Sequence, residues 1–408
     1  MPTPSISESN SVSQNLLRSR MPELDTLRGI AVLSVVLFHG FGLEYGLKGL
    51  TGLPKLLVAA TLPGWAGVNL FFVLSGFLIT GILLDTRECR DYYRRFYLRR
   101  ALRILPLYYA VLILLAVLSR TGLIARPASW SFLGLSFIYL ANVTQLFGVP
   151  MQYGVLWSLA VEEHFYLLWP TAVRLLSRRG LVCMAAAICF ACPLLRALFY
   201  WRHYAGVGYG WLSADGLALG VLLAILSRSS WVKRPRFKQV AIGSLTASLL
   251  IFSLGAPFGI LLTSRLVGFI FRETTLDLFC FGLVSSTLLV GTSRWKAIVN
   301  RPVLQFLGEV SYGVYLIHML VFDVVDHAVS RVAPTLVATQ GDFGRILLRF
   351  CLGASCTFAV AYLSRWYFEE PFLRLKGRLA GQTVATATKS RLGGSLLVPV
   401  IEPEPTES

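Results

Sequence analysis

From residue 28 onward the apolar residues neither alternate with polar ones nor keep to one helical face. They form runs of roughly 17 to 25 residues separated by short polar connections, and each run is long enough to cross a hydrocarbon core of about 30 Å as a helix. Lipid offers no partner to backbone N–H and C=O groups, so each run must satisfy its own. Unalternating runs fit helices rather than barrel strands. The pattern predicts an all-α, polytopic integral membrane helical bundle with ten spans, near 28–44, 62–84, 101–118, 155–176, 181–199, 211–227, 240–256, 275–291, 303–325 and 345–366.

Connection charge orients these spans. The segment 85–103 carries seven arginines against three acids, and 174–180, 228–238 and 294–301 are also basic. Such connections belong on the cytoplasmic side. With 85–103 and 174–180 both inside, an even number of crossings must separate them, which 101–118 and 155–176 supply. The apolar stretch 131–147 is then surplus and is expected to be re-entrant, interfacial or a broken helix, and 257–272 has the same status. Both termini fall in the cytoplasm. Residues 1–20 and 376–408 lack apolar periodicity and are expected to be disordered cytoplasmic tails around a membrane domain at 21–375. The first run follows basic residues without a small-residue cleavage site, so it reads as a span rather than a leader.

Composition agrees with this picture and removes two others. The chain is 55% hydrophobic and only 14% charged, with mean hydropathy +0.65, too apolar for a soluble protein of 408 residues. A formal charge of +17 taken alone suggests nucleic acid, but membrane orientation accounts for where the basic residues lie, and no nucleic-acid partner is expected. Seven cysteines are scattered, and the single close pair, Cys189 and Cys192, lies in an apolar run with no second pair nearby. Small apolar packing is the better reading there, and no metal site is expected.

Charges inside membrane helices cost roughly 2.5 to 3.5 kcal/mol each on insertion scales, so they are the first candidates for chemistry. In LDTLRGIAVLSVVLFHG, Arg28 and His39 are eleven residues apart and share one helical face, with His39 about 16 Å deeper. Asp25 can cap the helix or pair with Arg28. His39 suits a general base, since imidazole titrates near neutrality; it equally suits a histidine bonded to a carbonyl of a neighbouring helix. In GVNLFFVLSGFLIT, Ser75 and Gly76 fit close helix packing or a hydroxyl on a substrate path, and no activating base stands beside Ser75 in sequence. Arg99, Arg100 and Arg103 crowd the mouth of a helix before Pro106, where they set topology, bind headgroups or hold a phosphorylated cytoplasmic ligand.

In YGVLWSLAVEEHFYLLWP, Ser158 and Glu162 share a face one turn apart, while Glu163 projects about 100° away, so one acid is expected to face any given cavity. A glutamate there can orient a catalytic histidine or pair with an arginine of another helix. Asp215 and His318 are lone polar residues within spans, read as packing or hydrogen-bonding groups.

Taken together and in this order, the motifs resemble the acyltransferase 3 family of membrane-bound acyltransferases over roughly 22–375. They are the Arg28 and His39 pair, FFVLSGF at 71–77, RALRILP at 100–106, WSLAVEEHFYLLWP at 157–170, DGLALG at 215–220, SYGVYLIH at 311–318 and YFEEPF at 367–372. The resemblance implies transfer of an acyl group, often acetyl, from cytoplasmic acyl-CoA to a hydroxyl of a carbohydrate, lipid-linked glycan or small natural product. By that resemblance His39 is the base and Arg28 accompanies it, with Glu162 in the catalytic set. Arg100 and Arg103, with Arg99, handle the donor, while Ser75, Trp157, Ser158, Glu163 and His318 line the substrate path.

Acyl-CoA is expected as a co-substrate, with no tightly bound cofactor, in a multi-pass protein of the cytoplasmic membrane. Direct attack on the thioester and passage through an acyl-enzyme both fit these residues. Some family members carry a periplasmic hydrolase-like domain after the membrane part. Here about thirty residues remain, so a stand-alone module is expected, with any periplasmic partner a separate chain. A transporter or exporter of an acylated metabolite is the rival from another class; an inverted repeat would favour it, and none is evident.

Overall fold

The computed structural model describes residues 21–43, 46–202, 212–229, 234–289, 301–339 and 341–379. The tail expected at 1–20 lies outside these residues, as does the one expected at 376–408 apart from 376–379, which are helical. The described residues are helical without a strand. They form α1 Pro22–Leu37, continued by a π-helical turn Phe38–Leu43, then α2 Gly52–Thr61, α3 Gly67–Asp85, α4 Tyr92–Thr121, α5 Trp130–Phe137, α6 Leu156–Leu175 and α7 Arg178–Trp201. After these come α8 Ala214–Leu226, α9 Arg234–Gly255, α10 Leu266–Leu288, α11 Pro302–Glu309, α12 Ser311–Val332, α13 Phe343–Leu363, a second π turn Ser364–Glu369 and α14 Glu370–Leu379.

A helix overlaps each of the ten expected spans, and among the described residues seven helical stretches are long and apolar enough to cross a membrane. The other three fall short for physical reasons. α8 has only 13 residues, α6 carries Glu162, Glu163 and Arg174, and α10 carries Arg272, Glu273 and Asp277. The surplus stretch 131–147 is a broken element, with α5 followed by a 3-10 turn Ala141–Phe147. The other ambiguous stretch, 257–272, holds a short 3-10 turn and the first residues of α10.

Local chemistry sets several helix ends. Ser129, Ser177 and Asp342 accept from the backbone N–H groups of Phe132, Gly180 and Arg345, satisfying donors that would otherwise be orphaned. Gly122 ends α4 in the left-handed region at φ 70°. At 30 residues α4 is about 45 Å long, more than a hydrocarbon core of about 30 Å requires.

Apolar surface is plentiful. On α7, Phe190, Leu194, Leu198 and Trp201 form an exposed stripe at helical spacing, the pattern of a lipid-facing helix. Inside, small residues bring backbones together. A Cβ on Gly76 would lie 2.1 Å from the Leu217 carbonyl oxygen, and one on Gly220 would lie 2.3 Å from that of Val73. The SGF and DGLALG motifs are therefore two sides of one α3–α8 contact. Gly29 on α1 and Gly308 on α11 make a second such contact, against the carbonyls of Leu304 and Asp25.

Candidate active site

Two cavities lie one above the other along α4 and α12. The first, about 90 Å³, is enclosed by α3, α4, α6 and α12, and its lining includes Ser75, Arg100, Arg103, Glu162, Tyr166 and Tyr315. The second, about 340 Å³, is lined by His39, Gln152, Asp323, Asp326, Arg126 and Arg349, with Met319 and Phe322 among its apolar walls. On α4 the first cavity takes Arg103 and the second Leu115, twelve residues or about 18 Å further along. On α12, Ser311, Tyr312 and Tyr315 face the first, whereas Met319, Leu320 and Asp323 face the second.

The first cavity combines cations with carboxylates. Arg100 and Arg103 are one turn apart on α4, and both feel the charge of Arg28 from α1. Like charges so close are costly unless an anion offsets them. Arg28 also pairs with Asp25 at 3.2 Å, and Arg100 lies over the Tyr166 ring at 5.1 Å. Glu162 accepts from Ser75 Oγ at 2.8 Å and from the Tyr166 hydroxyl at 3.3 Å.

Several sequence expectations change here. Glu162 bonds Ser75 and Tyr166 rather than a histidine, so the notion that it orients His39 does not match its position. Glu163 lines the same cavity as Glu162, contrary to the 100° argument, because the cavity wraps around that side of α6. Ser158 lines it too, and its hydroxyl lies 2.5 Å from that of Tyr315. Arg99 and Trp157 are not among the lining residues of either cavity; Trp157 packs edge-on against Phe72 at 6.0 Å. His318 lines neither, being fully buried between them.

His39 stands on the second cavity in the π turn that ends α1. A π turn widens the helix and leaves its backbone groups poorly paired, a cost that recurs at functional sites. Here Arg349 Nη1 donates to the Gly40 carbonyl at 3.0 Å, while its other nitrogens hold both oxygens of Asp326 at 2.7 Å. The π turn is thereby fastened to α12 and α13. His39 Nδ1 lies 2.9 Å from the Val35 carbonyl oxygen and 3.2 Å from His318 Nε2. His318 Nδ1 in turn lies 2.7 Å from the Tyr315 carbonyl oxygen and 3.1 Å from that of Val314. Sequence spacing shows nothing of this, because the two histidines are 279 residues apart.

Asp215 is not alone either. Arg196 of α7, buried in an otherwise apolar stretch, pairs with its carboxylate, and Thr274 donates to it at 2.6 Å. Asn69 links Asp277 at 2.8 Å and Glu273 at 3.1 Å in the same region. This network braces α3, α7, α8 and α10 away from both cavities.

Residues 21–366 match the family described as "Acyltransferase domain", Acyl_transf_3. The chain belongs to the acyltransferase 3 family. It is 28% identical over 383 residues to the peptidoglycan O-acetyltransferase OatA of Listeria monocytogenes, covering 87% of this chain and 56% of that protein. It is 28% identical over 393 residues to a putative O-acetyltransferase of Staphylococcus aureus, covering 86% and 57%. Against the putative peptidoglycan O-acetyltransferase YrhL of Bacillus subtilis it is 27% identical over 390 residues, covering 88% and 55%. The chain thus spans just over half the length of these curated relatives. No solved structure matches it significantly.

Proposed function

We propose that this acyltransferase 3 protein is an O-acyltransferase of the cytoplasmic membrane that moves an acetyl group from acetyl-CoA to a glycan hydroxyl. The observation that carries the reading is the stacking of two chemically different cavities, with Arg100 and Arg103 on one, His39 on the other and Tyr315 in the wall beside them.

In this reading the donor arrives from the cytoplasm. Its phosphates meet the guanidinium forks of Arg100 and Arg103, with the Arg28 charge behind them, as charge-assisted hydrogen bonds. The pantetheine arm passes the Ser75, Glu162 and Tyr315 wall, and the thioester reaches His39. The acceptor occupies the larger cavity, whose Asp, Arg and Gln side chains suit a polyhydroxylated ring. His39 takes the hydroxyl proton as the oxygen attacks the thioester carbonyl. The C–S bond breaks, the ester forms, and the CoA thiolate recovers the proton from the imidazolium. Ser75 lines the other cavity, which favours direct attack over an acyl-serine. Relatives named for peptidoglycan O-acetylation favour a cell-wall glycan as acceptor.

The test is incorporation of label from radiolabelled acetyl-CoA into membranes holding the native glycan pool. Alkali-labile label on glycan supports the reading. Label in neither glycan nor any small hydroxylated acceptor overturns it.

A further inference from the structure

The two histidines define a proton arrangement with one solution. Neutral imidazole carries one N–H, and which nitrogen holds it is set by the partners of the other. His318 Nδ1 faces two carbonyl oxygens, at 2.7 and 3.1 Å, and neither can donate, so Nδ1 must carry the hydrogen. His318 Nε2 is then a bare acceptor. It faces His39 Nδ1 at 3.2 Å, and that nitrogen also faces the Val35 carbonyl at 2.9 Å. A bare His39 Nδ1 would set a lone pair against a carbonyl and another lone pair, so it too must be the donor. His39 Nε2 is left unprotonated and has no hydrogen-bond partner among the described residues. The ring stands on the larger cavity.

We propose that His318 is the positioning residue for His39, holding it as the Nδ1–H tautomer so that Nε2 is the atom that takes the acceptor's proton. The inference rests on the reading of His39 as the base. When Nε2 takes the proton, the positive charge that develops on His39 lies 3.2 Å from the His318 Nε2 lone pair. Among the described residues no carboxylate bonds this pair, so a second imidazole fills the place that an acid holds in a serine hydrolase triad. His318 is fully buried and its own Nδ1–H is tied to the helix backbone, so its ring cannot turn without losing those bonds.

The chain has five histidines, few enough to resolve individually by magnetic resonance with histidine labelled at its ring nitrogens, in lipid nanodiscs. Wild type is expected to show His39 and His318 both as Nδ1–H tautomers. His318→Gln supplies an amide oxygen near the lost Nε2 and is expected to keep the His39 tautomer and most of kcat. His318→Leu leaves the Val35 carbonyl as the one remaining acceptor at Nδ1, so the Nε2–H tautomer that free histidine favours is expected to gain population, with kcat about 10²-fold lower and an unchanged KM for acetyl-CoA. His39 as Nε2–H in wild type, or a tautomer unmoved in both variants, overturns the proposal. Should His318→Leu fail to fold, His39 as Nε2–H in wild type, or a loss of kcat in His318→Gln as large as that expected for His318→Leu, still overturns the proposal. His39→Gln measured alongside separates the two claims: full activity there removes the base while leaving the tautomer result standing.

Discussion

Ser75 donates to Glu162 at 2.8 Å across the α3–α6 interface, joining two motifs 87 residues apart in sequence. The pair looks like a nucleophile and its base. It lies in the cavity of Arg100 and Arg103, however, whereas His39 stands on the other. A half-buried carboxylate in a helical bundle needs its hydrogen bonds filled, and Ser75 fills one of them.

Direct transfer therefore predicts that Ser75→Ala retains transfer within about tenfold, at a stability cost of roughly 1–3 kcal/mol for the carboxylate left short of a donor. Incubating wild type with radiolabelled acetyl-CoA without acceptor and precipitating the protein checks this. Stable label on wild type but not on Ser75→Ala would establish an acyl-serine instead.

For the donor site, Arg100→Ala and Arg103→Ala are each expected to weaken CoA binding about 10- to 100-fold, the value of one or two charge-assisted hydrogen bonds. Pantetheine, which lacks the nucleotide phosphates, should bind wild type and variants alike. Calorimetric titration of both ligands reads the difference, and equal losses for the two would place the arginines elsewhere than on phosphate.

Gly76 and Gly220 should tolerate no Cβ, because the added atom would meet a carbonyl oxygen at 2.1 or 2.3 Å. Gly76→Ala is expected to cost about 1–3 kcal/mol or more by forcing α3 and α8 apart. A lowered melting temperature in detergent checks it, and activity per folded molecule should fall as well, since α3 walls the cavity of Arg100 and Arg103.

The buried Arg196 and Asp215 pair makes a purely structural prediction. Asp215→Ala leaves a buried guanidinium without its carboxylate and should cost about 3–5 kcal/mol, while combining it with Arg196→Leu should recover much of the loss. Thermal unfolding of the two variants reports the sign, and an equal or larger loss in the double variant would contradict it.

How much of this was legible in the sequence follows from what each signal measures. Run length finds helices that lie in lipid, so the long apolar helices stand where the runs are. It is weak for α6, α8 and α10, whose faces are turned inward onto charged or close-packed neighbours, so their charges or short length hide them from a hydropathy criterion. The costly polar residues Arg28, His39, Ser75, Arg100, Arg103, Glu162 and Glu163 all stand on or beside the two cavities. Their partners were invisible. The Ser75 to Glu162 and His39 to His318 contacts join distant spans, and one sequence carries no record of which helices meet. Tyr315 and Tyr153 were missed because a tyrosine in an apolar run looks like core. Here Tyr153 donates to the Leu316 carbonyl at 2.7 Å and accepts from the Leu320 N–H at 3.2 Å, within the turn of α12 that holds His318.

The central claim is that His39 is the base, and comparing wild type with His39→Gln, folded and present at equal levels, tests it most directly. Label from radiolabelled acetyl-CoA entering the glycan should fall at least about 10²-fold in the variant, with CoA affinity unchanged. Equal labelling by both proteins would contradict the account.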